Sequence, residues 1–307
     1  MPGVPAALAL ERTLQERIES LLGSRVTRAR RVEGGYTPAA RWLVGCESGE
    51  TAFAKAGTTS VTAEALRGEA AVYRQLEAEF MPRTLGWDDH PEAPLLLLED
   101  LSECRWPPPW DDALVGAVCQ ALDRVHAARA PLPRFDERRR FDFPAGGPDG
   151  WAAVRANPTP LLGLRLVSES WLARALPALV AAEASAATGG DAVVHLDVRS
   201  DNLCLTERGV VLIDWNLACL GNPALDTGFW LPSLELEGGP VPETVLPNAP
   251  EVSAWVSGFF AARAGLAAIS DAPRVRHFQC EQLAVALAWT IRALDLPPLE
   301  TGSVRSG

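Results

Sequence analysis

The tightest constraint in this chain is the stretch His195-Leu196-Asp197-Val198-Arg199-Ser200-Asp201-Asn202, followed after a short interval by Ile213-Asp214-Trp215. Asp197 and Asn202 lie five residues apart on what reads as a loop. Beyond it, the apolar runs Leu203-Cys204-Leu205 and Val210-Val211-Leu212-Ile213 flank Glu207-Arg208-Gly209, the pattern of a short β-hairpin. Such a hairpin returns Asp214 to the neighbourhood of Asn202, so that a carboxylate and an amide oxygen converge on one cation. Hard oxygen ligands of this kind suit Mg²⁺. An isolated H-x-D tripeptide would mean little, but a base, two ligands and a hairpin in this order rarely arise by chance.

On these residues the chain resembles the aminoglycoside phosphotransferase family of small-molecule kinases, relatives of choline kinases and protein kinases, over most of its length. The resemblance implies an α+β, bilobal protein-kinase-like fold. A small N-terminal lobe would carry an antiparallel sheet and one long helix, and a larger C-terminal lobe would be mainly helical. The implied boundaries are 1–98 for the nucleotide-binding lobe, 99–101 for a hinge and 102–307 for the catalytic and acceptor-binding lobe. Asp197 would orient or accept the proton of the acceptor hydroxyl, Arg199 would stabilise charge on the transferring group, and Asn202 and Asp214 would hold magnesium. The commonest family form has glycine after the histidine, whereas this chain has Leu196, at a place where protein kinases carry arginine. Trp215-Asn216 after Asp214 fits the antibiotic-kinase branch better than the Phe-Gly of protein kinases. Gly221-Asn222-Pro223-Ala224-Leu225-Asp226 resembles that branch's G-D-P-x-x-D, with Asp226 expected as a structural cap.

Composition singles out one more residue. Of the 28 basic side chains, Lys55 is the only lysine. A compact ammonium on a slim stem therefore stands where a guanidinium fork would not fit. Lys55 ends the strand-like Ala52-Phe53-Ala54-Lys55, and the resemblance makes it the lysine that contacts the α and β phosphates. Its implied carboxylate partner is Glu69 on the helical segment Val61–Phe80, with Glu64 the alternative. Gly34 and Gly35, between strands expected over 25–32 and 39–46, would let the backbone approach a phosphate, although an ordinary hairpin fits them equally well. Glu99 and Leu101, at the end of Leu95-Leu96-Leu97-Leu98, resemble a hinge whose main chain bonds adenine. The cofactors so implied are ATP, with GTP as an alternative, and Mg²⁺.

The rest of the chain reads as further elements. Leu8–Leu22 has helical spacing and stops at Gly23, and Asp111–Arg129 is helical with His126 as a structural residue at its end. The Pro-, Gly- and Arg-rich segment 131–160 reads as a long surface excursion, with Arg138, Arg139 and Arg140 as a solvated charge run. Helices are expected over 171–187, 254–268 and 274–294.

The net charge of −11 argues against nucleic acid as a partner and favours a neutral or cationic one. From Gly209 to Ala262 there is no Lys or Arg. Glu235 and Glu237, in that acidic stretch, are candidates to receive ammonium groups of an acceptor, although Gly238-Gly239-Pro240 also fits a solvated acidic loop. Trp230 and Trp255 are candidates to stack on a sugar or cation, or to be core. The six cysteines show no metal-ligand spacing and read as small core residues. The N-terminal residues lack the regions of a signal peptide and no run is long enough to span a bilayer, so a cytoplasmic monomer or homodimer without membrane contact is expected. The expected activity is ATP-dependent O-phosphorylation of a small, cationic acceptor, foremost an aminoglycoside-like antibiotic. A metabolite such as choline, homoserine, methylthioribose or a ketosamine is an alternative acceptor, and a catalytically silent nucleotide-binding module is the alternative of another class.

Overall fold

The computed structural model describes residues 10–32, 39–137, 149–269 and 272–299. They form an α+β arrangement in two units, Met1–Pro107 with Ala128–Leu132 and Asp201–Ala218, and Pro108–Ala127 with Pro133–Ser200 and Cys219–Gly307.

The first unit is built on an antiparallel sheet of five strands, Val26–Arg31 (β1), Ala40–Cys46 (β2), Thr51–Ala56 (β3), Thr84–Asp88 (β4) and Leu95–Glu99 (β5), in the order β1-β2-β3-β5-β4. The uninterrupted leucines of β5 follow from cover on both faces. Leu95 and Leu97 join Ile18, Trp42, Val44, Ala52 and Ala54 in one apolar cluster, to which helix α1 (Arg12–Leu22) contributes Ile18. Leu96, opposite Lys55 in the β3–β5 register, turns to the other face, where helix α2 (Ser60–Leu76) contacts both strands. A capping box between Thr59 and Thr62 starts α2. The expected continuation to Phe80 is cut short because Glu77 adopts a left-handed conformation at φ 38°. Phe80 instead stacks on Trp215, with ring centroids 5.6 Å apart.

The expected hairpin is present as Leu203–Thr206 paired with Gly209–Leu212, and Gly209 at φ 107° supplies the turn that a side chain would strain. Its return strand is tied to the residues after α2 by Leu212 N–H donating to Phe80 C=O at 2.8 Å.

The second unit is helical apart from the paired strands Ala192–Val194 and Cys219–Gly221. Helix α3 (Asp112–Ala127) is followed by Gly150–Ala156, Thr159–Gly163, Glu169–Ser185, Ala224–Leu236, Pro242–Val245, Pro250–Ala261 and Val275–Ala293. Two expectations change here. The segment read as a surface excursion contains helix Gly150–Ala156, whose Trp151 is fully buried and donates to Ala254 C=O at 3.0 Å; Arg138–Arg140 lie outside the described residues. The acidic stretch, for which a solvated loop stood as the alternative to an acceptor pocket, contains helix Ala224–Leu236, in which Leu225, Asp226, Trp230, Leu231 and Leu234 are all buried. The six cysteines are free thiols, and Cys46, Cys204 and Cys219 are buried. Among the described residues no helix is long and apolar enough to cross a membrane.

Candidate active site

In the first unit, β3 and α2 bring Lys55 and Glu69 together across their packed faces. Lys55 Nζ donates to Glu69 Oε2 at 2.6 Å and to Asp214 Oδ1 at 3.0 Å. Lys55 is 8% and Glu69 2% exposed, so neither charge is balanced by water. Burial pulls the ammonium pKa down, but the two carboxylates more than offset that, and it sits above the ordinary lysine value. Burial pushes Glu69 up, with Lys55 opposing and the charge on Asp214 adding to the rise. Glu64 is exposed on the same helix. The phenol of Tyr73, one turn after Glu69, lies well above its ordinary value because it is buried and faces the charges on Glu69 and Asp214.

Asp214 follows the hairpin in a left-handed conformation, φ 64° and ψ 58°, which aspartate tolerates better than most residues. Ile213 N–H donates to Asn202 C=O at 2.8 Å and closes the base of the hairpin. The hairpin thus brings Asn202 and the residue preceding Asp214 into direct contact. Asn202 is buried, whereas the Asp214 side chain is 31% exposed. Among the described residues no group of three His, Cys, Asp or Glu side chains is arranged to hold a metal. One carboxylate and one carboxamide do fit a hard cation that keeps waters and shares phosphate oxygens.

At the expected hinge, the Glu99 carboxylate takes two bonds from Arg208, at the hairpin turn, at 2.8 and 2.5 Å. It also accepts from Arg83 N–H at 3.1 Å. These bonds with Arg208, working against burial, hold its pKa at about 2. The Leu101 C=O accepts from Cys104 N–H at 3.1 Å and from Trp106 Nε1 at 3.0 Å. With both acceptor positions taken, its N–H is the main-chain group left for a ligand. Gly34 and Gly35 lie outside the described residues.

In the second unit, the 195–200 loop is braced from below by a carboxylate that was expected to cap a helix. Pro223 occupies the N-cap of Ala224–Leu236 without a side-chain bond, and Asp226, fully buried, turns to the loop instead. Its oxygens accept from His195 N–H at 3.0 and 2.9 Å and from Leu196 N–H at 2.7 Å, and His126 Nε2 lies 3.0 Å from Oδ2. Asp197 N–H in turn donates to His195 Nδ1 at 3.2 Å. Arg199 Nη1 lies 3.4 Å from Asp197 Oδ1, and its guanidinium sits 5.3 Å from the ring centroid of Phe278.

The expected acceptor residues diverge. Trp230 is fully buried and packs on Trp110 at 5.7 Å between centroids, so it offers no ring face to a ligand. Trp255 is likewise core, edge-to-face with Phe229 at 4.9 Å. Glu237 is engaged by Ser200 Oγ at 2.6 Å and Trp110 Nε1 at 2.9 Å. Glu235 keeps a buried Oε2 without a hydrogen-bond partner among the described residues. Burial raises its pKa, with Arg292 opposing and Glu243 adding. Reasoning from sequence missed the roles of Asp226, Arg208, Ser200 and Phe278. Asp226 had a signal in the G-N-P-A-L-D run; Arg208 looked like a turn residue, and Phe278 had no local signal at all.

Residues 28–243 match the model of the Phosphotransferase enzyme family. No curated protein matches the chain. Among solved structures, an aminoglycoside phosphotransferase from Alicyclobacillus acidocaldarius is similar with a TM-score of 0.50 at 17% identity, covering 87% of this chain and 90% of that one. A protein described as a fructosamine-3-kinase from Haemophilus somnus 129PT is similar with a TM-score of 0.50 at 13% identity, covering 92% of this chain and 95% of that one. At these identities the likeness is one of fold.

Proposed function

The chain belongs to the Phosphotransferase enzyme family and is a small-molecule kinase, and we propose that it moves the γ-phosphoryl group of ATP to a hydroxyl of a small cationic acceptor of the aminoglycoside type. The observation that carries the nucleotide half of this reading is the buried Lys55, bonded to Glu69 at 2.6 Å and to Asp214 at 3.0 Å. A lone ammonium held by two carboxylates costs desolvation energy that a purely structural site would avoid with apolar residues. In a chain whose other 27 basic residues are arginine, lysine is kept only here. In this reading Lys55 neutralises phosphate charge and Glu69 aims it, while Asn202 and Asp214 hold Mg²⁺, which when bound supplies further charge neutralisation. The Leu101 N–H meets the base. Asp197 aligns the acceptor hydroxyl and takes up its proton, and Arg199, steadied by Phe278, faces the transferring group.

Replacing Lys55 by Ala is expected to abolish MgATP binding in titration calorimetry, and replacing it by Arg to weaken binding at least tenfold. Wild-type affinity in both variants would contradict the reading. For the acceptor, Glu235 is the carboxylate of the expected pair that Ser200 and Trp110 do not engage; its Oε2 is buried, so an ammonium group would meet Oε1. The engagement of Glu237 and the burial of Trp230 favour a second reading with fewer cationic contacts, a metabolite hydroxyl such as that of methylthioribose or homoserine. A screen of ATP consumption over aminoglycosides and these metabolites separates the two.

A further inference from the structure

We propose that Glu237 is a positioning residue that fixes the far end of the loop bearing Asp197. The helix Ala224–Leu236 touches this loop at two points. Near its start, Asp226 accepts from His195 and Leu196 N–H. Just past its end, Glu237 Oε1 accepts from Ser200 Oγ at 2.6 Å, and its other oxygen accepts from Trp110 Nε1 at 2.9 Å. The loop is thus anchored on both sides of Asp197 to the two ends of one helix, at Leu196 through Asp226 and at Ser200 through Glu237.

The Ser200 bond is short, as expected of a hydroxyl donating to a carboxylate. The indole of Trp110 keeps that carboxylate from swinging away, because a two-point hold fixes its plane. Asp197 and Arg199 therefore sit between two clamps on one rigid element, and loosening either clamp lets the Asp197 carboxylate wander. Displacement of a reacting group by about 1 Å lowers a rate by up to about a hundredfold. The consequence for turnover rests on the kinase reading above; the clamp itself does not.

The test uses the full chain. Hydrogen exchange of the peptide covering residues 195–202 is compared in wild type, Glu237→Ala, Glu237→Gln, Ser200→Ala and Trp110→Phe, alongside Asp197-dependent hydrolysis of MgATP with water as acceptor. Glu237→Ala and Ser200→Ala should each raise exchange of that peptide about tenfold. They should lower kcat for hydrolysis by about 10–100-fold without moving KM for ATP. Glu237→Gln keeps an oxygen for Ser200 and should restore kcat to within about threefold of wild type. Trp110→Phe leaves the Ser200 bond in place and should change loop exchange less than Ser200→Ala does. Unchanged exchange in Glu237→Ala and Ser200→Ala would overturn the clamp, as would a general rise across the whole second unit. If the wild type shows neither Asp197-dependent hydrolysis nor transfer to any acceptor of the panel, the kinase reading fails while exchange still decides the clamp.

Discussion

Leu196 stands at φ 65°, a left-handed conformation that a leucine side chain occupies only at a cost of roughly 1–2 kcal/mol. Its N–H is pinned to Asp226 Oδ1 at 2.7 Å, which holds the residue there. The glycine that commonly follows the histidine in this family avoids that strain, so the departure at Leu196 is one of backbone cost. Leu196→Gly is expected to leave the denaturation midpoint equal or higher, with a gain of up to about 1 kcal/mol. A loss above about 1 kcal/mol would show that the leucine side chain matters more than its backbone. Lys55 is governed by electrostatics. Its removal strands two carboxylates beside one another, and Lys55→Ala should cost about 3–5 kcal/mol in chemical denaturation, in addition to its effect on nucleotide. A cost under about 1 kcal/mol would contradict the tight packing of this ion cluster.

The elements that present these residues are held by contacts remote from them in sequence. Arg208 at the hairpin turn donates to Glu79 C=O at 3.1 Å, to Met81 C=O at 3.2 Å and to Glu99, so the hairpin preceding Asp214 is anchored to the end of β5. The Glu99 pKa is depressed from 4.5 to about 2. A depressed carboxylate contributes stability that is fully present above its unfolded value and is lost as pH falls through its folded value. The stability difference between wild type and Glu99→Gln should thus be full above about pH 4.5 and should close as pH approaches 2. A difference independent of pH over that window would refute the ion pair as its source. For helix Ala224–Leu236 the deciding residue is Trp230. Because it is fully buried, Trp230→Ala should lower stability by about 3–5 kcal/mol, measured by denaturant unfolding. A variant of normal stability that had lost only acceptor affinity would return Trp230 to the stacking role that the sequence left open beside a place in the core.

At the scale of the whole molecule, what could be read from the residues was what rests on local pattern. Alternation in Thr51–Ala56, the Leu95–Leu98 run, Gly23 after α1 and the hairpin around Gly209 all announce themselves, and so does the lone lysine. Helix Ala224–Leu236 was hidden for a physical reason. Buried on most sides, it has no polar stripe to reveal a period, and Gly228 and Pro232 within it read as breakers. Helix Gly150–Ala156 was masked by its Pro- and Gly-rich flanks. The brace by Asp226 and the hold by Glu237 depend on which way a carboxylate turns, and spacing along a chain does not encode that. In the proposed reaction Asp197 serves the acceptor hydroxyl while nucleotide binding belongs to other residues. Transfer of the γ-phosphate of radiolabelled ATP to an acceptor panel by wild type and Asp197→Ala, with MgATP affinity measured on the same preparations, tests it most directly. Labelled product is expected from wild type, about a thousandfold less from the variant, and equal MgATP affinity in both. Undiminished transfer by Asp197→Ala would contradict it.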